Sequence, residues 1–204
     1  MMSFDQHDKA IELFLRQHAV LHCAKMAQTA AWSYEDTILD DITDEKFRRI
    51  PRNSKHSVAW CIWHIARIED ITMNILVADS RQVLNEGDWL GQMNIEYLDS
   101  GNAMSEDDIV SLSVAIDRKA LRAYRLTVGR KTREIVKQLD PDDLKQKVDS
   151  ARLQRVLDEG ALVEEAVGIK EYWSRRNIAG LLLMPPTRHS LIHLNEAARL
   201  KRSK

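Results

Sequence analysis

The spacing of apolar residues along the chain predicts long helices joined by few turns. Apolar side chains recur three, four or seven residues apart, as at Ile11, Phe14 and Leu21, which is typical of a helix with one buried face. The pattern predicts a first helix over residues 8–40, with Trp32 on the same apolar stripe. We therefore expect an all-α fold.

Start and stop residues predict three more long helices. They cover about residues 53–78, 105–139 and 185–201. The first of these opens with asparagine and serine and the next with serine, which are common N-cap residues. The last opens with two prolines, which a first helical turn tolerates.

The segments between the long helices are harder to interpret. Residues 41–51 are predicted to be a linker and residues 81–101 a long ordered loop. Residues 151–159 are predicted to form a short helix that Gly160 ends, and residues 161–183 another short helix. This arrangement favours a four-helix bundle with a crossover connection and extra short helices before the last one.

Length and charge exclude several classes of protein. The chain has 204 residues, which we expect to form one domain over residues 1–204. Its 30 basic and 31 acidic residues leave a net charge of −1, so we expect no nucleic-acid or membrane partner. Two cysteines and a polar start with no signal peptide indicate a cytoplasmic protein.

The histidines are the residues most able to carry chemistry. His189 and His193 lie one turn apart on the last helix, with Glu196 on the same stripe, and His64 lies on an otherwise apolar face of the second helix. Two imidazoles one turn apart can bind one metal ion, and a facing helix of a bundle can supply a third. We therefore expect these three histidines to hold a divalent metal. Glu196 would orient a ligand or act as an acid or base.

Other interpretations of these residues remain open. His18 and His22 have the same spacing, but they are predicted to share a helix face with Lys25, whose charge would repel a cation. Cys61 could also bind a metal, although a buried, unreactive thiol is the commoner role. Each single histidine on an apolar face is more often a hydrogen-bonded core residue than a ligand.

Three side chains are candidates for binding a substrate. Arg67 and Arg188 could each hold a carboxylate through two hydrogen bonds, or Arg67 could pair with the acidic residues 69–70. Trp60 could line a pocket, although aromatic residues in bundles usually belong to the core. Glu196 could instead form a buried salt bridge with one of these arginines.

Two segments resemble the DinB/YfiT-like superfamily. The run SVAWCIWHIARIED at residues 57–70 resembles its second-helix signature, and RHSLIHLNEA at residues 188–197 resembles its last-helix motif. The resemblance implies a four-helix bundle of up-down-down-up connectivity that is commonly a homodimer. It also implies a divalent metal, often nickel or zinc, on three histidines, which by position are His64, His189 and His193.

The resemblance also implies candidate reactions. Some relatives are transferases that depend on mycothiol or bacillithiol. Many members have a histidine where this chain has Ile192, and Arg-Gly-Gln at positions 194–196. Our hypothesis is a metal-dependent enzyme in which a water or a low-molecular-weight thiol attacks a small electrophilic molecule, in transfer or hydrolysis. The alternatives are a non-catalytic metal-binding protein of stress response or interaction, and a structural dimeric bundle.

Overall fold

The computed structural model describes residues 4–28 and 32–203. Its α-helices are, in chain order, α1 (Phe4–Leu21), α2 (Ala24–Ala27), α3 (Tyr34–Leu39), α4 (Asp44–Arg48), α5 (Val58–Asp70), α6 (Trp89–Met93), α7 (Glu106–Ala115), α8 (Arg118–Gln138), α9 (Ser150–Asp158), α10 (Val167–Ser174), α11 (Ile178–Leu182) and α12 (Ser190–Arg202). Wider π-helical segments, Ile71–Val77 and Met184–His189, follow α5 and precede α12, and 3-10 turns lie at Val83–Glu86, Asp143–Lys145 and Glu164–Ala166. The described ranges contain no β-strand, so the all-α prediction is confirmed.

The bundle is built around α5. This helix packs against α8 and α12, and α1 packs against the same two helices. Every residue from 58 to 77 is buried, so each polar side chain on this stretch needs a partner inside the bundle. The up-down-down-up order of the helices remains a prediction. None of the helices in the described ranges is both long enough and apolar enough to cross a bilayer.

Two helix boundaries agree with the sequence signals. The Ser57 hydroxyl accepts a hydrogen bond from the Trp60 N–H at 2.9 Å, which caps the start of α5. At the end of α9, Gly160 has a φ of 64°, the left-handed conformation that glycine adopts most easily after a helix. The predicted start of the second helix and the short helix over 151–159 are therefore confirmed.

The prediction of one continuous first helix is wrong. Helix α1 ends at Leu21, whose carbonyl accepts a hydrogen bond from Arg125 Nη2 at 3.0 Å, and Cys23 has a ψ of 144°, outside the helical region. The chain then forms α2 and α3, and Trp32 is 61% exposed rather than buried on a stripe. Residues 29–31 of the predicted helix lie outside the described ranges. The Arg125 side chain, from a distant helix, thus binds a carbonyl that the end of α1 leaves without a helical partner.

The third predicted helix is also divided, into α7 and α8. The break falls at Asp117, whose N–H donates to the Met93 carbonyl at 2.8 Å. The Asp117 carboxylate accepts the Ala120 N–H at 2.7 Å and so caps a new helix. A contact with the last residue of α6 therefore replaces the helical hydrogen bond at this point.

Short helices occupy segments that were predicted to be a linker and a loop. Thr43 caps α4 within the predicted linker, and Asp88 caps α6 within the predicted loop. Residues 161–183 form two helices rather than one, because the Asn177 side chain accepts the Gly180 N–H and starts α11. In each case a polar side chain starts a helix that apolar periodicity is too short to reveal.

Candidate metal centre

His64 is held rigidly on the central helix. Its Nδ1–H donates to the Ser100 carbonyl at 2.5 Å, and its ring stacks on the Trp60 indole with centroids 4.5 Å apart. Because a carbonyl can only accept, this bond places the proton on Nδ1 and leaves the lone pair on Nε2. His64 therefore presents a metal-binding nitrogen in a fixed orientation.

His189 and His193 complete a cluster of three imidazoles. The His189 and His193 ring centroids lie 4.6 Å apart, and those of His64 lie 5.0 Å and 4.8 Å from them. One potential ligand atom from each ring lies within 4.8 Å of the others. The structure thus brings together three histidines from two distant parts of the sequence.

The donor atoms of the cluster fit a divalent cation. His64 Nε2 and His189 Nε2 are 3.2 Å apart, close to the roughly 3.3 Å that separates two nitrogens bound to one tetrahedral zinc. Burial, with the neighbouring imidazoles, holds the pKa of His64 well below its usual value and lowers the pKa of His189 to about 3. Neutral imidazoles with free lone pairs are the form that binds metals.

Glu196 connects His193 to a fourth histidine. One carboxylate oxygen accepts His193 Nδ1–H at 3.0 Å and the other accepts His56 Nδ1–H at 2.8 Å. Burial alone would raise the pKa of Glu196, but these two hydrogen bonds outweigh it and hold that pKa below its usual value. The bond to Nδ1 leaves His193 Nε2 as the lone-pair nitrogen, the usual arrangement of a metal-binding histidine with a carboxylate behind it.

His56 is the member of this constellation that sequence reasoning missed. Its ring stacks on Trp60 with centroids 3.7 Å apart, and Trp60 in turn stacks on His64. The sequence signal that could have revealed His56 is the spacing of four residues between His56, Trp60 and His64, which favours one shared face. The Ser100 carbonyl gave no such signal, because any residue in that loop would carry the same backbone oxygen.

The other predicted binding residues lie in different surroundings. Trp60 is buried at the cluster, but Arg67 is fully buried and donates to Asp70, Tyr124 and other acceptors inside the bundle. Arg188 is exposed and lines a groove beside α1. Glu196 pairs with neither arginine. The structure therefore brings only Trp60 and Glu196 to the three histidines.

Cys61 is a buried thiol beside Glu196. It has no exposed surface, and burial followed by the Glu196 charge raises its pKa well above the usual value. Its sulfur, with one atom each of His56 and Glu196, forms a second potential ligand group. A thiol that resists deprotonation is a poor metal ligand.

The pair His18 and His22 binds Glu69, a partner that the sequence did not indicate. Their Nε2 atoms bind the two Glu69 oxygens at 2.7 Å and 2.9 Å, and all three side chains are fully buried. Arg125 lies 3.9 Å from the same carboxylate. The predicted helix face shared with Lys25 is wrong, because α1 ends before that residue, which is exposed. Glu69 thus binds one nitrogen of each ring, while Nδ1 of both histidines is buried without a hydrogen-bond partner among the described residues. The three side chains form a further potential ligand group.

Comparisons with known proteins agree with this architecture. No curated protein matches the chain. The sequence profile of the DinB superfamily matches residues 28–167, well over half of the 204 residues. The matched range includes His64 and ends before His189 and His193. The resemblance seen in the sequence is confirmed, and the chain belongs to the DinB superfamily.

Proposed function

We propose that this protein is a metal-dependent enzyme whose divalent cation is held by His64, His189 and His193. The observation that carries the proposal is the convergence of three imidazoles whose ligand atoms lie within 4.8 Å of one another. Hydrogen bonds to Ser100 and Glu196 leave Nε2 as the free nitrogen on two of them. Membership of the DinB superfamily supports the same assignment.

The donor set favours a borderline metal and an open coordination position. Three imidazoles suit zinc, nickel, copper or iron better than magnesium or calcium, and we propose zinc or nickel. Three protein ligands leave room for a water or a substrate, as in catalytic rather than structural sites. When bound, such a cation would supply Lewis acidity that lowers the pKa of a water or thiol.

The surrounding side chains would orient the ligands and shield the site. Glu196 holds the His193 ring, and the Trp60 indole covers the flat faces of both His56 and His64. Glu196 also joins His193 to the half-buried His56, beside a groove that includes Lys55 and Arg199. These residues keep two of the ligand nitrogens in place before any substrate arrives.

We propose that the reaction joins a nucleophile to a small electrophilic molecule. In transfer, a low-molecular-weight thiol would form a carbon–sulfur bond while the leaving group departs with its electron pair and the thiol proton goes to solvent. In hydrolysis, water would replace the thiol in the same substitution. A requirement for added thiol distinguishes transfer from hydrolysis, which needs only water.

Elemental analysis and an activity assay test the proposal together. Protein purified without a histidine tag should contain about one divalent metal ion per chain and consume an electrophile such as benzyl chloride. The His189→Ala variant should lose both the metal and the activity, and His7→Ala, which removes a histidine outside the cluster, should keep both. Equal metal content in the wild type and His189→Ala would refute the assignment. Metal without turnover of any electrophile would favour a non-catalytic metal-binding protein.

We further propose that the protein forms a homodimer. Exposed apolar side chains of Val20, Leu183 and Leu191 line a groove beside α1 and α12, and large exposed apolar areas often mark interfaces. Sedimentation velocity should give the mass of two chains, and Leu191→Glu should shift it toward one. A monomeric wild-type protein would contradict this proposal.

A further inference from the structure

A small apolar cavity adjoins the proposed metal centre. Its volume is about 200 Å³, and its walls include Ile68, Ile169, Trp173 and Met184, with Asn102 and His189 as polar neighbours. These residues come from α5, α10, the segment before α12 and the loop that also carries Ser100. His189 therefore faces both the cavity and the imidazole cluster.

The lining of the cavity selects against charge. No residue among its described walls carries a charged side chain, and burying an unpaired carboxylate or ammonium group there would be strongly unfavourable. Trp173 is 2% exposed and Ile68 is 4% exposed, so the floor of the cavity is closed off from bulk water. Asn102 is exposed and Ile169 and Met184 are partly exposed, so the cavity opens to solvent on their side. A ligand in this cavity would gain mainly from apolar contact.

The volume limits the size of the ligand. An apolar cavity of about 150 Å³ is large enough to bind benzene, whereas sites for drug-sized ligands begin at about 300 Å³. A volume of about 200 Å³ therefore suits a benzene ring with one or two small substituents. His189 is the lining residue that the cavity shares with the imidazole cluster.

We propose that this cavity binds a small, uncharged, largely apolar molecule of monosubstituted-benzene size and places it beside His189. The inference rests on the proposed function in one respect, since it makes this molecule the substrate of the metal centre. The binding itself depends only on the shape and chemistry of the cavity. The two parts can therefore be tested separately.

Binding of two fluorinated probes to metal-free protein tests the cavity. Fluorine NMR should show saturable binding of neutral 4-fluorobenzyl alcohol and at least about tenfold weaker binding of the anion 4-fluorobenzoate. Ile169→Trp and Met184→Trp, which fill the cavity from two different elements, should each weaken the alcohol at least about tenfold. Val167→Trp is the matched control, because Val167 lies on the same helix as Ile169 but is exposed and does not line the cavity.

The outcomes separate this inference from the proposed function. The cavity proposal would be overturned, whether or not the protein holds a metal, by either of two results. One is that Ile169→Trp and Met184→Trp both fold and bind the alcohol as the wild type does. The other is that benzoate binds as tightly as the alcohol. Normal probe binding by a protein that takes up no metal would instead overturn the proposed function and leave the ligand class intact. In cobalt(II)-loaded protein, saturation with the alcohol should change the visible absorption spectrum. An unchanged spectrum would contradict the placement of the substrate beside His189.

Discussion

Replacement of Glu196 probes whether the metal ligands are oriented before a metal binds. In Glu196→Ala the acceptor of the His193 Nδ1–H is lost, so the ring is free to rotate and to change the nitrogen that carries its proton. In Glu196→Gln one amide oxygen can still accept from His193. The amide NH₂ then faces His56, which is not a proposed ligand and can accept through Nδ1 by moving its own proton to Nε2.

The two variants should therefore differ in metal affinity. Loss of a hydrogen-bond partner behind a metal-binding histidine typically weakens binding about 10- to 100-fold, which corresponds to about 1.4–2.7 kcal/mol. We expect Glu196→Ala to fall in this range, because His193 loses a bond of 3.0 Å to a partly buried carboxylate. We expect Glu196→Gln to lose less than about tenfold, because only the charge of the acceptor changes.

Competition with a chromophoric chelator measures both zinc affinities, with circular dichroism as the check that each variant is folded. Wild-type affinity in a folded Glu196→Ala variant would refute the claim that Glu196 orients a ligand. An equal loss in both variants would show that the negative charge, rather than the accepted hydrogen bond, controls the affinity.

Three further predictions concern stability, and urea unfolding measures each of them. A Cβ on Gly129 would lie 2.8 Å from ring atoms of His22, so Gly129→Ala should destabilise the fold by about 1–3 kcal/mol. A Cβ on Gly168 would meet nothing within 4 Å, so Gly168→Ala should stabilise the fold by up to about 1 kcal/mol. The same sign for both changes would contradict the packing argument. Burial, followed by the Arg125 charge, lowers the pKa of His22 from 6.5 to about 3, so between these pH values the unfolded chain binds a proton that the native chain does not. Protonation of His22 should therefore lower stability as the pH falls through that window, by at most about 5 kcal/mol from this residue alone, and a steepness unchanged in His22→Gln would argue against this cause. Arg67→Met leaves the Asp70 charge buried without its 3.1 Å partner and should destabilise the fold by about 3–5 kcal/mol, so a change below about 1 kcal/mol would refute the buried ion pair.

The sequence predicts the long helices well and their interruptions poorly. The α5 start was visible because Ser57 precedes an apolar run and caps it through a local hydrogen bond. The end of α1 was not visible, because the Leu21 carbonyl is bound by Arg125, which lies 104 residues away. Local periodicity carries no information about such a contact, and a tertiary interaction overrides it.

The same distinction explains the candidate site. The spacing of His189 and His193 reveals a shared helix face, and the bundle brings His64 to it. The equal spacing of His18 and His22 could not reveal Glu69 as their partner, because that residue reaches them from α5. Tertiary partners, rather than spacing, therefore determine which nitrogens are free: Glu69 occupies Nε2 of both His18 and His22, whereas Glu196 occupies only Nδ1 of His193.

X-ray absorption at the zinc edge of the tag-free, zinc-loaded protein tests the central claim most directly. Coordination by His64, His189 and His193 predicts three imidazole nitrogens at about 2.0–2.1 Å with the remaining scattering from oxygen. Two imidazoles with a carboxylate would indicate the His18, His22 and Glu69 cluster instead. Sulfur at about 2.3 Å would indicate Cys61, and either result would contradict the three-histidine centre.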